Sequence, residues 1–200
     1  ILPTLQIGGM QLLHMEHDDP YEKTIPKINK FVLEIFVLYV CLTLICCLLY
    51  YFNGMSGFDA IIHCMTTIST GGFSNHNLSF AYYNSQSIEF IGVLFMIIGS
   101  LPFVIYLQVI HGQKNSILKD DQIRLFFIIL IIIIFCTILW LINNQSLDFY
   151  SSFRIAIFNI ISILTGTGYS SSNFSNWGSF GLVIMIVIMF VGGCAGSTTG

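Results

Sequence analysis

Residues 66–74 read TTISTGGFS, and residues 162–170 read SILTGTGYS. Each stretch sets small hydroxyl residues and glycines behind a short apolar segment and ahead of an aromatic and a serine. The segment leading into the first, Phe58–Ser69 (FDAIIHCMTTIS), is apolar enough to enter a bilayer. As a helix it would reach only about 18 Å, short of a hydrocarbon core about 30 Å thick. Such a segment goes in and comes back. The return leaves non-helical backbone at membrane depth, which is tolerated only where it is buried in protein or lines an aqueous path. STGGF suits that role, because glycine permits backbone angles that turn consecutive carbonyls to one side. The hydroxyls of Ser69 and Thr70 can add oxygen ligands.

Shifting the numbering by 96 lays the second stretch on the first: Gly72 meets Gly168, Phe73 meets Tyr169 and Ser74 meets Ser170. Asn77-Leu78-Ser79 meets Asn173-Phe174-Ser175, and Phe31–Phe52 lies approximately over Leu125–Ile142. The chain therefore contains an internal repeat. Each unit reads outer helix, half-crossing helix, glycine turn, polar outward stretch, second helix. One unit cannot enclose a path alone, so several must surround an axis. The paired Asn-x-Ser triplets match a glycosylation pattern, but their parallel placement fits the repeat better.

Composition agrees with a bilayer as solvent: of 200 residues 55% are hydrophobic and only 8% charged, too few polar groups to cover a water-facing surface. Three apolar runs, Phe31–Phe52, Ile88–Ile110 and Leu125–Ile142, are each expected to form one crossing helix. A fourth, Phe180–Val191, is shorter and ends or breaks at VGGCAGSTTG. Ile1 is not an initiator residue, so the chain reads as part of a longer protein. The cysteines Cys41, Cys46, Cys47, Cys64, Cys136 and Cys194 lack the spacing of a zinc site or a disulfide framework and read as small core residues. A net charge of −3 without a basic stripe gives no reason to expect nucleic acid.

Lys23, Lys27 and Lys30 precede the first span, and Lys114, Lys119 and Arg124 lie between the second and third. The positive-inside rule makes both of those loops cytoplasmic. The outward connections then carry Asp59, Glu89 and Asp148 against a single basic residue, Arg154, a balance that mildly favours arriving cations. Arg154 has two readings: it pairs with Asp148, or it stabilises the second half-crossing helix. Glu34 is either a functional acid within the membrane, or it snorkels to the nearby cytoplasmic surface or pairs with Lys30 one turn earlier. His14, His17, His63, His76 and His111 are scattered, and no nucleophile, base and acid share a recognisable spacing, so neither a transition-metal site nor an enzyme is expected.

TTISTGGFS, TGTGYS, the opening LPTLQIGGMQLL and the closing GGCAGSTTG, in this order, resemble the TrkH/KtrB family of potassium-transporting membrane subunits. The resemblance implies an all-α integral membrane protein of repeated helix, pore-helix, filter-loop and helix units in a potassium-channel-like, pseudo-fourfold arrangement. Residues 1–30 would then be the end of a first unit and a cytoplasmic linker. Residues 31–110 would be the second unit, 111–124 a linker, and 125–200 most of the third. The ion path would be lined by backbone oxygens of Ile68, Ser69, Thr70, Gly71 and Gly72 in one quadrant and of Leu164, Thr165, Gly166, Thr167 and Gly168 in the next. Phe73 and Tyr169 would pack behind these loops. Neither loop has glycine at both places that match the TVGYG of potassium channels, which bears on strict selectivity.

The terminal GGCAGSTTG lacks the lysine of a phosphate-binding loop, since Ser197 follows Gly196. Gly192 and Gly196 fit a GxxxG helix contact. The family resemblance instead implies a gate beneath the filter, formed by Gly192, Gly193, Cys194, Ala195, Gly196, Ser197, Thr198, Thr199 and Gly200. It further implies potassium uptake through a multi-pass protein of the bacterial inner membrane, a homodimer surrounded by lipid, and a cytosolic nucleotide-binding regulatory partner of the TrkA kind. Potassium is the cargo and no cofactor is expected. The alternative from another class is a secondary active transporter coupling cation movement to H⁺ or Na⁺, which would concentrate buried acids at the membrane centre.

Overall fold

The computed structural model describes residues 24–113, 116–145, 148–172 and 177–199, and all its regular elements are helical among these residues. The opening LPTLQIGGMQLL, Lys23, Lys114, Asn173-Phe174-Ser175, the two N-terminal histidines and Gly200 lie outside them. In chain order the helices are α1 (Thr24–Phe52), α2 (Gly57–Ile68), α3 (Gln86–Ser100), α4 (Phe103–Ile110), a single turn α5 (Ser116–Lys119), α6 (Asp121–Gln145), α7 (Phe149–Leu164) and α8 (Gly178–Met189). A 3-10 turn, Ser79–Tyr82, precedes α3.

Two helices, α1 and α6, are long and apolar enough to cross a membrane singly. Their outward faces carry Val32, Phe36, Leu44 and Leu48, and Ile128, Ile131 and Phe135, all exposed. Apolar side chains arrayed this way are stable against lipid tails and not against water. Inside this shell α1 packs on α2, α6 packs on α7, and α3 lies between α2 and α7, forming the seam between the two repeats. Phe80 is the hub of that seam. It is fully buried, with its ring 6.0 Å from Tyr50, 5.0 Å from Phe158 and 4.5 Å from Tyr169. Gly92 of α3 permits the approach, since a Cβ there would lie 3.0 Å from the Phe80 ring and 3.3 Å from that of Phe158.

The run 88–110, expected as one span, is two helices bent by 91°. Pro102 is the cause: it has no N–H for the Ile98 carbonyl and restricts the residue before it, and Leu101 is extended at φ −93°, ψ 152°. The backbone groups set free by the break are nonetheless paired. The Tyr106 hydroxyl donates to the Ile98 carbonyl at 2.7 Å, and the terminal stretch supplies the remainder. Cys194 N–H donates to the Ser100 carbonyl at 3.0 Å, Thr198 N–H to the Gly99 carbonyl at 3.1 Å, and Phe103 N–H to the Gly196 carbonyl at 3.1 Å. Buried backbone groups require such partners, so the end of α8 and the break in α3 complete one another.

Candidate functional site

Both half-crossing helices begin on a side-chain cap. Ser56 Oγ accepts from Asp59 N–H at 3.1 Å, and the carboxylate of Asp148 accepts from Ser151 N–H at 3.1 Å. Asp148 thus caps α7 and is not the partner of Arg154. That guanidinium donates from Nε and Nη2 to Glu89 of α3, at 2.6 and 2.8 Å. The hydrogen bonds from the Ser151 side chain and backbone hold the Asp148 carboxyl below its ordinary range. Glu34 lies 4.0 Å from Lys30 and 3.8 Å from His111, in accord with the pairing reading.

The two helices end in loops of matching design. After α2, Gly71 and Gly72 N–H both donate to the Thr66 carbonyl, at 2.8 and 3.2 Å, and the Thr66 hydroxyl donates to the Phe73 carbonyl at 2.9 Å. After α7, Gly168 N–H donates to the Ser162 carbonyl at 3.0 Å, and the Ser162 hydroxyl donates to the Tyr169 carbonyl at 2.7 Å. Left-handed backbone falls at equivalent places: Thr70 (φ 51°) and Gly166 (70°), then Gly72 (65°) and Gly168 (85°). Each loop is also braced from outside. His63 places Nδ1 2.8 Å from the Asp59 carbonyl and Nε2 3.0 Å from the Ser74 hydroxyl; the carbonyl can only accept, so Nδ1 carries a proton. Its repeat equivalent Asn159 donates to the Ile155 carbonyl at 2.8 Å and to the Ser171 hydroxyl at 3.0 Å.

These bonds decide which carbonyls remain available. The Ile68 carbonyl accepts the Thr198 hydroxyl at 2.8 Å, and the Ser69 carbonyl accepts that of Thr70 at 2.7 Å. The carbonyls of Thr70, Gly71 and Gly72, and of Thr165, Gly166, Thr167 and Gly168, accept no hydrogen bond from the described residues. The loops are close neighbours: a Cβ on Gly72 would collide with the Thr167 carbonyl. Both helices also direct their C-terminal ends at this region, so partial negative charge gathers where the carbonyls are unpaired. Oxygens left unpaired in this way can meet a bare cation or water.

The Tyr169 side chain crosses the seam. Its hydroxyl lies 2.5 Å from that of Thr66 and 3.3 Å from that of Thr67, both on α2. Two further bonds join the repeats: Ala81 N–H to the Ser170 carbonyl at 3.1 Å, and Ser170 N–H to the Ser79 hydroxyl at 3.3 Å. Phe73, the repeat equivalent of Tyr169, is 75% exposed, so only one of the two expected aromatic braces is packed among the described residues. The terminal stretch Gly192–Thr199 lies against the first loop as well as against the α3 break. The Thr198 hydroxyl donates to the Ile68 carbonyl and lies 2.9 Å from that of Gly99, and the Thr70 hydroxyl lies 3.2 Å from the Thr198 carbonyl. Sequence reasoning did not reach the roles of His63 and Asn159, although the offset of 96 pairs them. Tyr106 and the partner of Arg154 carried no comparable signal.

The family described as TrkH, a cation transport protein, matches residues 1–200. The Trk system potassium uptake protein TrkI of Halomonas elongata is 37% identical over 201 residues, covering 100% of this chain and 41% of that protein. The Trk system potassium uptake protein TrkH of Escherichia coli is 32% identical, covering 100% of this chain and 42% of that protein. In structure, the crystallised potassium transporter TrkH from Vibrio parahaemolyticus is similar with a TM-score of 0.84 at 32% identity, over 98% of this chain and 40% of that one. This chain therefore spans about two fifths of the length of such relatives. With a whole-chain match and an all-helical fold shared with a membrane transporter, the chain belongs to the TrkH family of cation transport proteins.

Proposed function

We propose that this protein takes potassium up across the cell membrane, and that its two glycine loops are adjacent quadrants of a backbone-carbonyl filter. The observation that carries the reading is the matched loop pair: the same hydroxyl-and-amide scaffold, twice, holding neighbouring runs of carbonyls that accept no hydrogen bond from the described residues. Unpaired carbonyls at membrane depth are costly unless an ion or water meets them. Rings of such oxygens replace the hydration shell of potassium. Thr70, Gly71 and Gly72 with Thr165, Gly166, Thr167 and Gly168 supply the ligands. Ile68, Ser69 and Leu164 form the inner edge, where the first two carbonyls are engaged by hydroxyls.

Gly192–Gly200 is the gate. The tie from Thr198 to the Ile68 carbonyl, at the inner edge of the first loop, supports this reading. The names of the relatives, which belong to Trk systems, support potassium as cargo and a regulatory partner. The partner we infer is a cytosolic nucleotide-binding subunit of the TrkA kind acting on a homodimer in the bacterial inner membrane, with lipid against α1 and α6.

The test is ion flux into liposomes holding the full-length protein, wild type or Gly72→Ala. Potassium-favouring flux that loses its preference in a folded Gly72→Ala protein is the expected result. Unchanged flux and preference would return the loop to the status of a turn.

A further inference from the structure

We propose that Glu89 and Arg154 form a clamp between the repeats that sets the position of the second glycine loop relative to the first, and thereby the ion preference of the path; this rests on the filter reading above. The two side chains meet across the seam of α3 and α7 in a two-point fork, Nε to Oε2 at 2.6 Å and Nη2 to Oε1 at 2.8 Å. The Glu89 side chain is 7% exposed and that of Arg154 28%. Such a fork fixes direction as well as distance, which a lysine could not do.

Stability alone does not account for it. A buried ion pair is often no more stabilising than apolar side chains of similar volume, and this seam already has the Phe80–Phe158 contact. The pair is also absent from the repeat pattern. An offset of 96 places Phe58 at the position equivalent to Arg154 and Met185 at that equivalent to Glu89. The clamp is therefore a device of this seam and not part of the general unit.

Its leverage comes from the helices that carry it. From Arg154 to Leu164, α7 is a continuous rod about 15 Å long that leads directly into Thr165–Gly168. A tilt at the arginine end displaces the carbonyls at the other. Glu89 stands in the first turn of α3, and near the far end of that helix Gly99 lies against the Ile68 carbonyl and the Thr198 hydroxyl. One beam, α3, thus references both loops. A second cross-seam bond, Tyr150 hydroxyl to Gln86 Oε1 at 2.9 Å, stands at the edge of a cavity of about 300 Å³ beside the pair. Asn84, Ser151 and Ser171 complete its polar rim.

The experiment compares potassium and sodium flux in liposomes for full-length wild type, Glu89→Gln, Glu89→Asp and the exchanged pair Glu89→Arg/Arg154→Glu, with thermal unfolding of each. Glu89→Gln is expected to lower the K⁺/Na⁺ flux ratio at least about threefold, and the exchanged pair to recover much of it. If Glu89→Gln does not fold, Glu89→Asp carries the test, because it keeps the charge and shortens the reach so that the fork cannot close at both points. A folded variant whose melting temperature falls while its flux ratio stays that of wild type would overturn the clamp and leave a purely structural pair. Gly72→Ala in the same preparation separates the two ideas. If Gly72→Ala alters the ratio and the Glu89 variants do not, the clamp is wrong and the filter stands. If Gly72→Ala also leaves the ratio unchanged, the filter reading fails and the clamp with it.

Discussion

The hydroxyl of Thr198 donates to the carbonyl of Ile68 at 2.8 Å, joining the terminal glycine-rich stretch to the inner end of the first half-crossing helix across 130 positions of sequence. The same hydroxyl lies 2.9 Å from the Gly99 carbonyl. One side chain thus holds together a loop, the end of a half-crossing helix and a broken helix.

Thr198→Val keeps the shape and removes the one hydroxyl proton that the two carbonyls share. Losing the partner of a buried acceptor costs about 1–3 kcal/mol, enough to loosen the stretch without unfolding the protein. Potassium flux measured without any regulatory partner should rise at least about fivefold, whereas Thr198→Ser should stay near wild type. Equal flux in wild type and Thr198→Val would remove the hydroxyl from any part in gating.

The equivalent glycines should not be equally sensitive. Gly168 has φ 85° and open space around it, so Gly168→Ala bears only the left-handed backbone penalty, about 1–2 kcal/mol. Gly72 has φ 65° and the Thr167 carbonyl in the position a Cβ would take, so the neighbouring loop must also move. Melting temperatures in detergent should fall further for Gly72→Ala than for Gly168→Ala. Equal shifts would contradict the close approach of the two loops.

Tyr169 separates packing from hydrogen bonding. Tyr169→Phe keeps the ring 4.5 Å from Phe80 and loses the hydroxyl contacts to Thr66 and Thr67, at a cost of about 1–2 kcal/mol. Tyr169→Ala also empties a fully buried site and should cost about 3–5 kcal/mol. Denaturant titration should rank them in that order. A Tyr169→Phe protein as unstable as Tyr169→Ala would place the weight on the hydroxyl.

Much of this architecture can be read from spacing. The offset of 96 aligns Gly72 with Gly168 and Thr66 with Ser162, and the structure gives each pair the same hydrogen bonds. The break at Pro102 was also written in the chain, because proline both removes a donor and constrains its predecessor, yet the unbroken apolar run 88–110 outweighed it. The Glu89–Arg154 fork was beyond reach for another reason. It joins residues 65 positions apart, and nothing in the local pattern of either element names the other. Repeats make local geometry predictable; the seams between them are set by side chains that do not repeat.

Asp148 gives a pH dependence with a definite sign. Its carboxylate accepts from Ser151 N–H, and its titration lies below the ordinary carboxylate range because the ionised form is the one that caps α7. Its contribution is present above the unfolded-state value, about 3.9, and is lost as the pH falls through the lowered native value. Amide exchange in the first turn of α7 should therefore quicken, relative to its intrinsic rate, on acidification through that window. In Asp148→Ala the quickened exchange should already be present at neutral pH. A first turn that exchanges alike in both proteins across this range would show that the cap contributes nothing to it.

The break in α3 has a consequence for any movement of the terminal stretch. Cys194, Gly196 and Thr198 now satisfy the Ser100 carbonyl, the Phe103 N–H and the Gly99 carbonyl. A stretch that withdraws leaves those three groups, and the carbonyl of Ile68, without protein partners in the interior of the membrane. Water has to take their place, because bare peptide groups there are too costly to persist. Displacement and wetting are then a single event. If the stretch is the gate proposed above, drying conditions, such as high concentrations of an excluded osmolyte, would hold it shut without touching it.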